Sequence, residues 1–311
     1  MVKQLRLAIA VMFVAILVYS GLWFTAAFQA EKDTVNLLAD WRDQGIQIEH
    51  GNISHSGFPY RIAVEIEDFD LRTRSRGLDI HTDKMVLTTH LWTANHWVAQ
   101  ISGLDAKFAN KSLALRDKAL NASYKLYEDG QRVIAIDSLT TDDLNVDRFF
   151  GVIPPRLTGL QLFLRFSDAN TQAKEGLYGE RYLDLKLVAN TDTTSVEATG
   201  GISGPIIHDW NKRELENWRD EGGLVEFSII DIRSQGGRLR GSLSATLDEN
   251  MKPLGSASMT VNGGENIQKL LQTTGINPAI IPSSGALNIM LQNGRYSSGA
   301  NASGRLKPVL D

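Results

Sequence analysis

Residues 62–73 read IAVEIEDFDLRT. Ile62, Val64 and Ile66 alternate with Ala63, Glu65 and Glu67. That two-residue period is the mark of a strand with one face buried. Phe69 and Leu71 continue on the opposite parity, which predicts a bulge near Asp68. The same period recurs outward. Ile46 and Ile48 precede it, and Leu78 with Ile80, then Met85 with Leu87, follow it. Further strands are predicted over 97–102, 106–116, 120–127, 132–138, 158–166, 181–189, 194–201, 224–233, 238–247, 254–262, 285–292 and 295–303. Turn signals separate them, among them Glu128-Asp129-Gly130, Gly236-Gly237, Asn262-Gly263-Gly264 and Asn293-Gly294. No proline lies between Pro59 and Pro154, which suits uninterrupted ladders.

Three short helices interrupt this grammar. Residues 31–44 place Val35, Leu38, Ala39 and Trp41 on one face and stop at Gly45. Residues 208–221 carry Trp210, Leu215 and Trp218 and end at Gly222-Gly223; residues 264–274 carry Ile267, Leu270 and Leu271 and end at Gly275. The predicted class is mainly β (a β-rich α+β chain). An N-terminal transmembrane helix is followed by a curved or elongated antiparallel-type sheet body rather than a compact sandwich.

The transmembrane reading rests on the first 30 residues. Lys3 and Arg6 are their only charges, and none occurs from Leu7 to Ala30. Leu7 to Phe28 makes a helix of roughly 33 Å, enough for a hydrocarbon core of about 30 Å. Leu7, Phe13, Leu17, Trp23 and Phe28 are the anchor residues, with Trp23 placed as an interfacial ring. The preceding positive charges orient the N-terminus to the cytoplasm and the body outside it, which in a cell with two membranes means the inner one, with the body in the periplasm. A cleaved signal peptide is the competing reading, with Thr25-Ala26-Ala27 as the cleavage site. Its apolar core would be longer than usual.

Pro154-Pro155 suggests a division into 1–30 (cytoplasmic tip and anchor), 31–153 (N-terminal β half with the stalk helix) and 154–311 (C-terminal β half). VEIEDFDLR at 64–72 and VEFSIIDIR at 225–233 share Val, Glu, Asp and Arg at matched positions. Four identities in nine leave both a repeat and chance β composition open.

The 311 residues include no cysteine. That excludes disulfides, Cys-ligated metal and a cysteine nucleophile. Beyond residue 30 there are 30 basic against 36 acidic residues, which argues against nucleic-acid binding through phosphates. Nucleotide-loop, dinucleotide, serine-elbow and HExxH motifs are missing. Asp143-Leu144-Asn145-Val146-Asp147 opens like a calcium loop, but Arg148 stands where glycine is needed and Pro154 where glutamate is needed. His81, His90 and His96 could meet only through folding. No cofactor is indicated, and the reading is non-enzymatic. Gly57-Phe58-Pro59 reads as a tight structural turn in which Phe58 staples onto the sheet.

Several segments together resemble an uncharacterised bacterial envelope family, domain of unknown function 2125. They are the N-terminal anchor, Ser56-Gly57-Phe58-Pro59-Tyr60-Arg61 entering a strand, LDIHTDKMVLTTHLW at 78–92, and RLRGSLSATLDENMKPLGSASMTVNG at 238–263. A short helix ending in Gly275 and the segment Gly285 to Leu310 with its Asn293-Gly294 turn complete the set. Residues 104–180 carry no such match. The strand grammar also resembles the broader AsmA-related class of anchored β proteins. That likeness implies an envelope role with lipid held in an apolar groove, and implies no catalytic residue.

A groove of this kind needs strands with apolar residues on both faces. Leu160-Gln161-Leu162-Phe163-Leu164 and Phe227-Ser228-Ile229-Ile230 lean that way, so Leu162 and Phe227 are the candidate groove residues. The plain alternative is that these strands are central and covered on both faces. Three functional readings follow. One is a membrane-anchored protein binding lipid, the partners being the bilayer and a lipid ligand. The second is a scaffold for an envelope protein partner. The third is an extracytoplasmic hydrolase, which would need two carboxylates in a cleft.

Overall fold

Nothing from Val2 to Asp43 interrupts a helix. The stretch has no proline, and its one glycine is Gly21. It forms a single helix, α1 (Val2–Asp43), of about 63 Å at the usual rise. The sequence suggests a span ending near Phe28 and a separate short helix over 31–44, either a stalk or packed on the domain. The structure joins them because Gln29-Ala30-Glu31-Lys32 contains no breaker. Gly45 ends the helix as expected, with φ +87°. Its N–H donates to Arg42 O (2.9 Å) and the Ile46 N–H to Trp41 O (3.1 Å), the paired bonds of a Schellman cap.

The structure is a computed structural model that describes residues 2–73, 77–93, 95–108, 111–115, 120–138, 144–147, 156–167, 175–176, 179–207, 211–271, 277–299, 302–306 and 309. The chain divides into two compact units, Met1–Tyr124 and Lys125–Asp311. This boundary falls earlier than the 153/154 division suggested by the sequence. The reason is a strand pairing: Arg132–Ser138 pairs with Gly159–Phe166, which carries it into the second unit. Pro154-Pro155 itself lies outside the described residues.

The first unit holds α1 and strands β1 (Gln47–Glu49), β2 (Ile53–Ser56), β3 (Ile62–Thr73), β4 (Leu78–Thr89), β5 (His96–Ser102), β6 (Leu104–Phe108) and β7 (Lys111–Leu115). Strand β8 (Leu120–Leu126) begins in it. Strands β1 and β2 share one edge of β3, β4 takes the other, and β5 and β6 share the far edge of β4, all antiparallel. The expected parity switch is present at Asp68, with φ +46°, but it is not a bulge, since β3 keeps one register with β1, β2 and β4 on both sides of it. It belongs to a crease that crosses the sheet. Gly51 separates β1 from β2 and its N–H donates to Glu67 O (2.7 Å). Across β4, Asp83 faces Gly103, which separates β5 from β6. A Cβ on Gly103 would lie 1.9 Å from the Asp83 carboxylate. The parity switch at Asp68 is the part of this crease that sequence shows.

The second unit continues with β9 (Arg132–Ser138), β10 (Leu144–Asp147), β11 (Arg156–Leu157), β12 (Gly159–Phe166), β13 (Glu175–Gly176), β14 (Gly179–Asn190) and β15 (Thr194–Ser203). After α2 (Lys212–Asp220) come β16 (Leu224–Ser234), β17 (Gly237–Leu247) and β18 (Pro253–Asn262). After α3 (Gly264–Leu271) come β19 (Ser284–Gln292), β20 (Arg295–Ser298) and β21 (Ala302–Arg305). The ladder runs β9-β12-β14-β15-β16-β17-β18-β19-β20-β21 and is antiparallel throughout. The body is therefore mainly β, as its alternation predicts.

Helix α2 is capped by Asn211, whose side chain accepts from the Glu214 N–H (3.0 Å), and stops at Gly222. Trp210 and Gly275, named in the sequence reading of these helices, lie outside the described residues. Leu215 and Trp218 of α2 bury against Leu247 and Met251. Ile267 of α3 is fully buried among Ile232, Leu239, Val261 and Leu287. Ile267→Ala is expected to cost about 2–5 kcal/mol. Thermal unfolding of the detergent-solubilised chain, followed by circular dichroism, checks this against the unsubstituted protein.

Candidate functional site

Helix α1 is built into the first unit. Trp23 is 2% exposed and Ala27 is fully buried, both packed on Ile62. The Tyr19 hydroxyl donates to Pro59 O (2.5 Å) and the Trp23 Nε1–H to Arg61 O (3.1 Å). Further along, Glu31 meets His55 Nδ1 at 2.5 Å, and Leu38 buries with Ile48, Ile66 and Phe69. This corrects two sequence readings. Trp23 is a ring closed against the body, not an open interfacial one, because Ile62 and Phe58 lie over it. Val35 and Ala39 are exposed, because the Trp23–Ala27 dock sets which face of the continuous helix turns inward. Leu7, Phe13, Leu17 and Phe28 are exposed apolar side chains.

The Gly57-Phe58-Pro59 turn serves this dock. Gly57 has φ +103°, and a Cβ there would fall 2.6 Å from Arg61 O, so the turn requires glycine. Phe58 does not staple onto the sheet. It packs edge-on to Trp23 (5.3 Å) and stacks on Phe24 (5.7 Å) of α1. The Phe58–Pro59 bond is cis.

Between the two places where α1 touches the sheet lies a cleft of about 620 Å³. Ala26, Ala30 and Leu37 of α1 form one wall, Ile62, Leu87 and Leu91 the floor, and Trp97 and Tyr124 the far side. Gln29 and Asp33, hydrogen-bonded to each other (2.7 Å), stand at its rim with Thr34 and His90. Its size and mostly apolar lining suit an organic ligand. Sequence reading misses it, although the small residues Ala26 and Ala30, four apart on the helix, are the signal that leaves the space.

The second unit brings the predicted groove residues together. Leu162 pairs with Leu187, Leu187 with Ala198, and Ala198 with Ile230. One row along, Leu164 pairs with Leu185, Leu185 with Gly200, Gly200 with Phe227, and Phe227 with Leu243. Cross-strand partners share a face, so Leu162 and Phe227 lie on one face, three strands and one row apart, roughly 16 Å. Both are part-buried. The Phe227 ring lies over Gly200, where a Cβ would sit 2.8 Å from it. Among the described residues, α2 packs on this face beside Ile202 and Val225, and α3 beside Ile232 and Leu239. Leu162, Leu185 and Phe227 fall between those two ends.

The opposite face is ionic. Arg165 holds Asp184 (2.6 Å), and Arg181 holds both Asp184 (3.6 Å) and Glu226. Gly201 lies between them; a Cβ there would come 3.2 Å from Arg181 and 3.4 Å from Asp184. At the β16–β17 end, buried Asp231 accepts from Arg238 (2.6 Å) and Arg233 (2.8 Å). In the first unit Lys84 (2.6 Å) and Ser56 (2.8 Å) hold the Glu65 carboxyl below its ordinary value. These carboxylates are acceptors of fixed donors. Leu144–Asp147 of the calcium-like run is a strand, and Asp143 lies outside the described residues. Among the described residues no three His, Asp or Glu side chains converge as metal ligands.

Asp231 sets a pH dependence. The Arg238 and Arg233 guanidiniums hold its carboxyl well below the usual range, against the opposing effect of burial. Its stabilisation is complete above the unfolded carboxylate value of about 3.9 and is lost as pH falls through the lower folded value. Asp231→Asn is expected to cost about 1.5–3 kcal/mol at neutral pH. It should also flatten the acid limb of a stability-against-pH curve below about pH 4.

No curated protein and no solved structure matches the chain. The family model described as "Uncharacterized protein conserved in bacteria (DUF2125)" matches residues 23–300. It begins at Trp23, the residue that docks the helix on the sheet, and runs through both units. The chain therefore belongs to this bacterial family, domain of unknown function 2125.

Proposed function

We propose that the protein is a single-pass, non-enzymatic envelope protein that holds lipid on the apolar face of its second unit. The observation that carries this reading is the register that sets Leu162, Leu164, Leu185, Leu187 and Phe227 on one part-buried face. Such a face takes an acyl chain without specific polar chemistry. Each buried methylene contributes about 0.8 kcal/mol, so ten of them supply a gross term of roughly 8 kcal/mol before ordering costs.

The anchor supports the same reading. One N-terminal helix is long and apolar enough to cross a membrane. Lys3 and Arg6 before it favour a cytoplasmic N-terminus, with the body on the periplasmic side of the inner membrane. The buried Trp23 and Ala27 favour an intact helix over a cleaved signal, since cleavage after Ala27 would remove both from the Ile62 contact.

Native mass spectrometry with lipid extraction tests this on the full chain purified from a bacterial envelope. A phospholipid or lipopolysaccharide fragment is expected to co-purify. Leu162→Gln and Phe227→Gln should each lower its occupancy several-fold while leaving the circular dichroism spectrum unchanged. A clean apo mass would sink the lipid reading and move the weight to a protein partner, sought by cross-linking in intact cells.

A further inference from the structure

The described side chains from Leu5 to Val18 are exposed on every side of α1. That stretch measures only about 21 Å, short of the roughly 30 Å of hydrocarbon it would have to cross. A full span takes about 20 residues. Counted from Leu5 it reaches Phe24, and counted from Leu7, the first residue after the Arg6 charge, it reaches Ala26. Yet from Tyr19 onward the helix already carries protein. Tyr19 bonds Pro59, Trp23 bonds Arg61, and Trp23 and Phe24 pack on Phe58. The end of the span and the start of the sheet therefore occupy the same level along the helix.

What the sheet presents at that level is aromatic. Tyr60 is 78% exposed and Trp92 69% exposed, and Phe58 is about half exposed. They come from the two loops that flank the Ile62–Thr89 end of β3 and β4. His90 ties the loops together: its Nδ1–H donates to Tyr60 O (3.0 Å), and its ring stacks on Trp92 (5.9 Å). Residues 56–61 and 89–93 contain Arg61 and His90 and no acid. Exposed Tyr and Trp beside a cation, without carboxylates, match the headgroup layer of an anionic bilayer.

We infer that Phe58, Tyr60 and Trp92 form a membrane-contact edge that seats the first unit in the lipid headgroup layer, Phe58 lowermost against the span. The inference rests on reading α1 as the anchor. The body is then not a domain on a free stalk, since its β3–β4 end sits in the interface. The occupant of this edge is the lipid surface itself, because the helix that docks on it is the helix that crosses the bilayer.

The cysteine-free chain allows a direct test. Tyr60→Cys and Trp92→Cys are labelled with a polarity-sensitive fluorophore. Lys107→Cys is the control, exposed at the other end of β4 opposite Asp79, roughly 30 Å away along the strand. Each full-length variant is reconstituted in vesicles of phosphatidylethanolamine with phosphatidylglycerol, and flotation with the vesicles reports anchoring separately. The seat predicts blue-shifted emission at 60 and 92 and several-fold stronger quenching by headgroup-level spin-labelled lipid than at 107. Water-like emission at either position, in protein that floats, overturns the seat while leaving the anchor standing. Protein that does not float overturns the anchor reading and the seat with it.

Discussion

Trp23 and Ala27 packed shut against Ile62 are the contact on which the first unit depends. A long N-terminal helix can diverge from the domain that follows it. Here two small contact areas, Trp23–Ala27 and Leu38, fix it along β3. Hydrogen bonds from Tyr19 and Trp23 to backbone carbonyls of the Pro59–Arg61 turn set the axial position as well as the face. The cleft beside the helix is a consequence. With alanine at 26 and 30, the helix between its two contacts cannot fill the space above Ile62 and Leu87. The turn is shaped for the same end, with Gly57 giving Phe58 its path onto the helix.

The second unit depends on register. Its long strands follow one another as antiparallel neighbours; among the described residues α2, α3, a 3-10 turn at Pro278–Ile280 and the short β10–β11 and β13 pieces lie between them. A shift of one residue in any ladder would turn a strand's apolar row to the ionic side. One extra residue in β16, between Phe227 and Ile230, shifts its register against both β15 and β17 and keeps Phe227 and Ile230 on the same face. The ionic face makes the wrong register costly, since Arg165, Asp184, Arg181 and Glu226 interlock only in the observed one.

The two units share a short sequence likeness at β3 and β16. In each, a strand carries Val-Glu, then an irregularity, then Asp-x-Arg. Asp68 has positive φ in β3, and β16 is bulged just after Phe227. Asp70 then faces Arg72 (3.9 Å) and His81 (3.2 Å), as Asp231 faces Arg233 and Arg238. The sequence echo at 64–72 and 225–233 thus places an aspartate beside the arginine two residues on in both strands, after a positive-φ residue in β3 and an added residue in β16.

Alternation along single strands is a local property, so the sequence by itself determined the mainly-β class, the parity switch at Asp68 and the glycine stops at Gly45 and Gly222. The uncharged run from Leu7 to Ala30 likewise showed the membrane-length helix. Leu162 and Phe227 were legible as apolar positions. That they share a face follows from pairing through β14 and β15, which no window around either residue contains. Tertiary structure alone decided the burial of Trp23, the turning of Phe58 onto the helix and the cleft at Ala26 and Ala30. Each depends on where a helix lands on a sheet formed later in the chain. A tryptophan near the end of an apolar run reads the same whether lipid or Ile62 lies against it. Only the contact distinguishes them.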